Sequence, residues 1–213
     1  MDYSRYGEDG VRILFGNTID LETSKEIRKF YLYLKSLQQD DIIDIIPSFR
    51  SCLIHFNGRS TSYDDFICFL IDKSEEIASF RVPEPMSHEI PVQYGGEYGP
   101  DMEFVCSYSG LNEEEVIEIH ASTIYTVFAV GFIPGFPYMG TVDRRLYAPR
   151  LETPRLKVPE GSVGLAQLQT GIYSFESPAG WRIIGKTNVQ LFNSKEEPYS
   201  LLQMGDLVRF VPV

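Results

Sequence analysis

Basic side chains are concentrated in one block of an acidic chain. Between residues 141 and 186, seven Lys or Arg residues stand against four acidic ones, whereas the whole 213-residue chain has a net charge of −11. Arg150 and Arg155 lie in a proline-rich part of this block, and arginine offers a fixed fork of donors for carboxylate or phosphate oxygens. We predict an anion site in which these two arginines are the clamps; the alternative is a set of solvated surface charges.

Polar side chains that can both donate and accept hydrogen bonds follow the two arginines. The segment 161–173 reads GSVGLAQLQTGIY and contains Gln167, Gln169, Thr170 and Tyr173 beside glycines. Amide and hydroxyl groups of this kind suit a small polar amide such as a lactam. The predicted substrate-binding residues are therefore Arg150, Arg155, Gln169, Thr170, Tyr173 and Lys186.

A proline-rich aromatic segment precedes the basic block. Residues 131–140 read GFIPGFPYMG, a composition that suits neither a regular helix nor a long strand. Proline fixes φ and glycine permits positive φ, so the aromatic rings would be held at defined angles. We predict a pocket wall or partner contact, with a core plug as the alternative, formed by Phe132, Pro134, Phe136, Pro137, Tyr138 and Trp181.

Candidates for proton transfer are few. The chain has three histidines, far apart in sequence, and neither an HExxH nor a GxSxG motif. Asp143, beside Arg144, is the first candidate for a general base, although it could equally be a partner of an arginine. His120 is the second candidate, with a packing role as its alternative.

One apparent nucleotide-binding motif lies in a sequence context that does not fit a phosphate loop. Residues 180–187 read GWRIIGKT and match the phosphate-loop pattern, but the intervening residues are strand formers, and the chain continues into NVQLF rather than into a helix. We therefore predict a strand here. ATP is not expected to bind to this chain alone.

Composition excludes several classes of protein. The excess of 30 acidic over 19 basic residues disfavours nucleic acid and membrane surfaces as partners. The cysteines, Cys52, Cys68 and Cys106, form no CxxC pair, which argues against a metal site or a disulfide framework. The first residues, MDYSRYGEDG, do not resemble a signal peptide, so we expect a cytoplasmic protein.

Strand and helix signals alternate over residues 1–90. They predict a strand at 11–16, a helix capped by Asp20 with Tyr31 on its inward face, strands at 42–46 and 51–56, a helix capped by Thr61 or Ser62, and a strand near 88–94. This order is the split βαβ, ferredoxin-like arrangement.

Residues 91–213 have a different pattern. One helix signal, with Asn112 as the cap and Glu115 as its partner, is followed by short apolar runs separated by Gly and Pro. Such spacing is typical of a β-barrel. The predicted class is α+β, with an N-terminal ferredoxin-like domain and a C-terminal β-barrel domain.

Several longer segments carry a family resemblance. They are IPVQYGGEYGPDMEFV (90–105), LNEEEVIEIHAS (111–122), GFIPGFPYMGTVDRRLYAPRLETPRLKVPEGSVG (131–164), QTGIYSFESPAGWRIIGKTNVQLF (169–192) and MGDLVRF (204–210). Together they resemble the family that includes the B subunit of 5-oxoprolinase, the inhibitor of the sporulation sensor kinase and the first allophanate hydrolase domain.

This resemblance implies a cyclophilin-like barrel and work in a complex. The complex would comprise this chain, a C subunit and an A subunit, and would open the lactam 5-oxo-L-proline to L-glutamate with ATP hydrolysis. The chain would contribute part of a pocket completed by the C subunit and would be inactive alone. Two departures from the family pattern are Lys186, where arginine is usual, and Gln167 with Leu168, where Ala-Gly is usual.

Two other functions are compatible with the same resemblance. One is a protein inhibitor that docks on a histidine kinase through the proline-rich loop. The other is a carboxyltransferase domain acting on urea or allophanate, which would require a biotin-carrying partner.

Overall fold

The computed structural model describes residues 2–213 and divides into two compact units. One unit ends at Glu84 and the other runs from Pro85 to Val213. The division lies six residues before the predicted boundary at 90/91, because a strand that starts at Ser87 pairs only with strands of the second unit.

The first unit contains a four-stranded antiparallel sheet. Its strands are β1 (Asp2–Tyr6), β2 (Gly10–Leu14), β3 (Ile42–Pro47) and β4 (Ser51–Phe56). They lie in the order β1-β2-β4-β3, so the connection from β2 to β3 passes over β4. The split βαβ arrangement is thus present.

Two helices of the first unit begin at side-chain caps. Helix α1 (Leu21–Ser36) begins at Asp20, whose carboxylate accepts a hydrogen bond from the Thr23 N–H, and α2 (Tyr63–Asp72) begins at Ser62. Helix α3 (Ser74–Ser79) follows. Tyr33, rather than the predicted Tyr31, is buried on α1.

The fourth strand of this sheet is not the one expected. The predicted strand near 88–94 belongs to the second unit, and β1 takes the sheet position beside β2 instead. The hairpin of β1 and β2 is local, since Tyr6 pairs with Gly10, and it supplies the missing ladder at little loop-closure cost. The sequence prediction missed β1 because it is mostly exposed and has few apolar residues.

The second unit contains a closed seven-stranded barrel and two helices. The helices are α4 (Met102–Ser109) and α5 (Glu113–Ser122), with a 3₁₀ turn (Arg144–Leu146) further along the chain. The barrel strands are β5 (Ser87–Tyr94), β6 (Ile124–Val130), β7 (Pro137–Gly140), β9 (Ser162–Ala166), β10 (Gln169–Ile172), β12 (Arg182–Lys186) and β13 (Leu207–Pro212). Their order around the barrel is β10-β7-β6-β13-β5-β12-β9. The predicted α+β class with a C-terminal barrel is confirmed.

Local signals account for the helix boundaries. The predicted capping box is present, because Asn112 and Glu115 each bind the backbone N–H of the other. Helix α4 was not predicted; it ends at Gly110, whose φ of 75° is the left-handed conformation that glycine adopts without strain.

Within residues 2–213, no helix has both the length and the apolar character needed to cross a bilayer.

The barrel wall carries a different cluster on each face. The larger cluster draws buried residues from all seven strands and from α4 and α5, and fills the inside. The smaller one lies on the outer face of β7, β9, β10 and β12. A two-stranded ribbon of β8 (Arg155–Val158) and β11 (Ser177–Ala179) covers it with Val158 and Ala179. Alternate residues of one strand therefore enter different environments.

Candidate functional site

Four aromatic rings meet on the outer face of the barrel. The Phe136 ring centroid lies 4.9 Å from that of Tyr138, 5.0 Å from that of Tyr173 and 5.4 Å from that of Trp181, all edge to face. The Tyr138 and Trp181 centroids are 5.8 Å apart. Edge-to-face contacts of this kind fix the angles of the rings. We call these four residues the aromatic layer; the structure thus brings together three predicted wall residues and one predicted substrate contact.

The aromatic layer packs against the barrel wall at two positions that carry glycine and so have no side chain. A Cβ at Gly171 would lie 2.8 Å from Phe136 Cζ and 3.1 Å from Trp181 Cζ3. A Cβ at Gly164 would lie 3.2 Å from the Trp181 Cβ. Both glycines therefore let the rings lie directly against the barrel wall.

Arg150 is the exposed cation of this face. Its Cζ atom lies 5.9 Å from the centroid of the Trp181 ring. Burial raises the pKa of Tyr138 and that of Tyr173, and the charge of Arg150 partly offsets both shifts. Arg150 therefore lies close enough to act electrostatically on the aromatic layer while it remains exposed.

Strand alternation separates two predicted polar contacts. Gln169 is half-buried on the same side of β10 as Gly171, and so belongs to the face of the aromatic layer. Thr170 is fully buried on the opposite side. Gln167, in the turn before β10, is exposed with a φ of 56°, and its N–H donates to the Ala148 carbonyl.

The proline-rich segment forms a shaped loop at the edge of the aromatic layer. Phe132 has a φ of 73°, is 61% exposed, and its ring lies edge to face with Phe136 at 5.8 Å. The Ser174 hydroxyl donates to the Pro134 carbonyl at 2.6 Å. Pro137 is buried and starts β7. One end of the segment is thus packed in the protein, while Phe132 is held outward.

Arg155 has a partner that the sequence analysis did not select. Its two terminal nitrogens donate to the two carboxylate oxygens of Asp101, at 2.8 and 2.9 Å. Asp101 is 4% exposed. Because this fork is already occupied, the structure favours an ion pair with Asp101 over the predicted role of Arg155 as a substrate clamp. The signal for Asp101 was weak, since it is one of seven acidic residues between 93 and 140.

The similarity of the chain to known proteins extends over nearly its whole length. The family model "Carboxyltransferase domain, subdomain C and D" matches residues 1–202. The chain belongs to this family. The family predicted from the sequence is thereby confirmed.

Relatives of this carboxyltransferase-domain protein differ in similarity. The chain is 37% identical to a Bacillus subtilis protein named as the B subunit of 5-oxoprolinase, over 97% of this chain and 90% of that protein. The crystal structure of TTHA0988 superposes with a TM-score of 0.84 at 31% identity, over 96% of this chain and 39% of the other. A urea amidolyase of Saccharomyces cerevisiae is 23% identical over 99% of this chain and 13% of that protein.

In this carboxyltransferase-domain protein, His120 is sealed inside the barrel. It is 0% exposed; its Nδ1 lies 2.7 Å from the Tyr94 hydroxyl and its Nε2 lies 2.9 Å from the Thr170 hydroxyl. Thr170 donates to the Gly164 carbonyl, so it must accept from Nε2–H, which leaves Nδ1 as the acceptor for Tyr94. Burial lowers the pKa of His120 to about 3. This geometry favours the packing role over the general base.

Asp143 lies at the start of the 3₁₀ turn. Its carboxylate accepts from the backbone N–H, Nε and Nη2 of Arg145 at 2.8 to 3.1 Å. These hydrogen bonds lower the pKa of Asp143 to about 2. A carboxylate that is this weak a base, and already bound, fits the alternative of an arginine partner.

Lys186 lies at the other end of β12 from Trp181. It pairs with Gln93 and Ser162 and lines an open polar cleft with Glu160 and Asn188. The motif GWRIIGKT thus lies largely in an antiparallel strand, and residues 187–190 continue without regular structure.

Across residues 2–213, no group of three or more His, Cys, Asp or Glu side chains is arranged to hold a metal ion.

Proposed function

We propose that this chain is the B subunit of an ATP-dependent 5-oxoprolinase and that its aromatic layer with Arg150 forms part of the substrate pocket. The observation that carries the proposal is the exposed guanidinium of Arg150 beside four fixed aromatic rings. A second support is that the chain is 37% identical to a protein that is named as this component of 5-oxoprolinase.

The chemistry of the substrate matches this surface. 5-Oxo-L-proline has a carboxylate, a lactam N–H and C=O, and an apolar ring edge. In the proposal, Arg150 binds the carboxylate, which pairs well with a guanidinium fork. The half-buried amide of Gln169 can donate to or accept from the lactam, and Trp181, which is 5% exposed, packs beside Arg150.

Ring opening needs more than this face supplies. A five-membered lactam is a stable amide, so phosphoryl transfer from ATP to the lactam oxygen, with release of ADP, would precede the attack of water on that carbon. The C–N bond would then break as the nitrogen takes up a proton, and inorganic phosphate would leave to give the carboxylate of glutamate. We assign no phosphoryl-transfer step to this chain: its phosphate-loop match lies in β12, and Asp143 is bound to Arg145. In the proposal, this chain binds and orients the substrate, while a C subunit completes the pocket and an A subunit contributes to the ATP-dependent step.

The two other functions considered for the sequence have less support. A carboxyltransferase role on urea would rest on relatives near 23% identity, of which this chain covers 13% of the length. Docking on a histidine kinase would rest on the exposed Phe132 and Pro134 of the proline-rich loop. Docking on a kinase becomes an outcome of the experiment below.

The decisive experiment is reconstitution. The chain alone, with its C subunit, and with both the C and A subunits is assayed for conversion of 5-oxo-L-proline to glutamate with and without ATP. We expect ATP-dependent turnover with all three and none with the chain alone. Full turnover by the single chain would contradict the subunit role, and inhibition of a kinase without any turnover in the assembled complex would favour the inhibitor.

Within the active complex, Arg150→Ala tests the pocket. Losing a charged hydrogen bond that is desolvated in the complex costs about 2 to 5 kcal/mol, so kcat/KM should fall roughly 30-fold or more on that scale. Arg59→Ala, in the first unit, removes one exposed arginine elsewhere and should leave kcat/KM within about twofold. Equal behaviour of the two variants would move the substrate site away from Arg150.

A further inference from the structure

An ion cluster forms around the buried carboxylate of Asp101. Asp101, 4% exposed, accepts two hydrogen bonds from Arg155 and one from the Ile183 N–H at 2.7 Å. A second arginine, Arg182, places its Nη1 3.6 Å from the Asp101 carboxylate. One carboxylate is thus shared by two arginines and a strand backbone.

Arg182 connects this cluster to the segment that carries Arg150. Its side chain is 13% exposed, and its Nε donates to the Pro149 carbonyl at 3.1 Å. Its guanidinium carbon lies 3.5 Å from the centroid of the Phe104 ring, which confines it from one side. Pro149 directly precedes Arg150. A continuous path of contacts therefore runs from Asp101 through Arg182 to the backbone next to Arg150.

We infer that Asp101 and Arg182 are positioning residues for substrate binding, which hold the 149–150 backbone so that Arg150 stays over the Trp181 ring. This inference rests on the proposed function. Replacing a buried ionic cluster by apolar side chains is often neutral or stabilising, so such a cluster is weak evidence for a stability role alone. Here the partners of Asp101 lie on β8 and β12, and Arg182 also binds the Pro149 carbonyl next to Arg150.

The first test needs no substrate. Trp181 is the only tryptophan of the chain, so its fluorescence reports on the position of Arg150. Emission is recorded for the wild-type chain, Arg150→Ala, Arg182→Gln and the double variant. We expect Arg182→Gln to reproduce most of the change caused by Arg150→Ala, and the double variant to add less than about a quarter of that change, since both remove the same contact.

Controls separate positioning from loss of fold. Arg209→Gln, on β13 and paired with Glu89, should leave the Trp181 emission unchanged. Arg182→Lys retains the charge and should recover part of the signal; it replaces Arg182→Gln if melting shows that the latter is unfolded. Wild-type emission in a folded Arg182 variant, or no change in Arg150→Ala, would overturn the inference.

The second test uses the assembled complex with 5-oxo-L-proline. Arg182→Gln should raise KM about five- to tenfold with kcat within about twofold, and in the double variant KM should match that of Arg150→Ala, because residues in one network are not additive. Multiplying effects would mean that Arg182 acts without Arg150 and would overturn the inference. If Arg150→Ala leaves KM unchanged while the emission results hold, the proposed pocket fails and the positioning of Arg150 stands.

Discussion

The two faces of one barrel wall handle polar groups in opposite ways. On the inner side, His120 has both ring nitrogens satisfied by Tyr94 and Thr170 and no exposed surface. On the outer side, Arg150 is exposed above fixed aromatic rings. Thr170 and Gly171 are neighbours in β10, yet one binds the buried histidine and the other lies under the aromatic layer.

This difference shows that, along one strand, one residue can be buried and fully hydrogen-bonded while the next is directed to the outer face. A polar group buried without a partner costs free energy, so the inner face pairs each of these groups internally. An exposed cation beside rigid rings keeps its donors for a ligand. The pairing on the inner face therefore serves stability, whereas on the outer face the exposed Arg150 is the residue proposed to bind substrate.

The largest expected effect is the acid sensitivity caused by His120. Its pKa is about 3 in the folded chain and about 6.5 when unfolded, so the unfolded state binds more protons between these values. The free energy of unfolding is therefore at its full value above pH 6.5 and should fall by up to about 1.4 kcal/mol per pH unit below it. Urea unfolding followed by Trp181 fluorescence at pH 7.5, 6 and 5 measures this slope.

The variant His120→Gln isolates that contribution. Glutamine can still bind Tyr94 or Thr170 but does not titrate, so the variant should be less stable at pH 7.5 and have a shallower slope between pH 6.5 and 5. Identical slopes in both proteins would show that His120 is not sealed as described.

A smaller loss is expected beneath the aromatic layer. Gly171→Ala places a methyl group 2.8 Å from Phe136 Cζ and from the Pro137 carbonyl, and such overpacking costs about 1 to 3 kcal/mol. The midpoint of thermal unfolding measures it. Gly131→Ala is the matched control, because a Cβ there meets nothing within 4 Å; equal midpoints for the two variants would mean that the rings are not fixed against β10.

The Asp143→Asn variant should have a minor effect on turnover. Arg145 already binds both carboxylate oxygens, so we expect kcat of the assembled complex to change less than about threefold. General bases contribute about 10²- to 10⁴-fold. A loss in that range, measured by steady-state kinetics, would restore Asp143 as the catalytic residue and place function outside the aromatic layer.

The smallest effect is expected at Lys186. It lies at the far end of β12 from Trp181, beside Gln93 and Ser162. Lys186→Met should leave ATP and 5-oxoproline KM values of the complex within about twofold, since an isolated surface charge contributes little. A hundredfold rise in the KM for ATP would show that the GWRIIGKT segment does bind nucleotide.

Local signals predicted much of the fold. Asp20, Ser62 and Asn112 cap helices through contacts within three residues, which a sequence displays directly. Strand partners depend on distant residues, and that is why the strand near 88–94 was assigned to the wrong unit. Helix α4 was missed although Asp101 and Gly110 are residue types that favour helix ends; the Asp101 carboxylate caps no helix N–H and instead binds Arg155 and the Ile183 N–H.

The sequence predicted which residue types lie at the site, but not the direction in which each side chain points. The cluster of arginines and aromatics on one segment indicated where to look, and Arg150, Tyr138, Tyr173 and Trp181 do lie together. The spacing of residues in the sequence does not show that Arg155 pairs with Asp101, which lies 54 positions away. Pairings across that separation are set by tertiary packing, which alternation within a strand cannot reveal.

The pairing of β5 with β13 has a consequence for synthesis on the ribosome. These are the first and last barrel strands, aligned in parallel with Ser87 opposite Leu207, so the barrel cannot close until residues 207–212 have been translated. Until then, both the parallel-pairing edge of β5 and the free edge of β6 lack their neighbour. Long-range closure of this kind is slow and leaves strand edges open to other nascent chains, so this unit has the greater need of protection as it emerges.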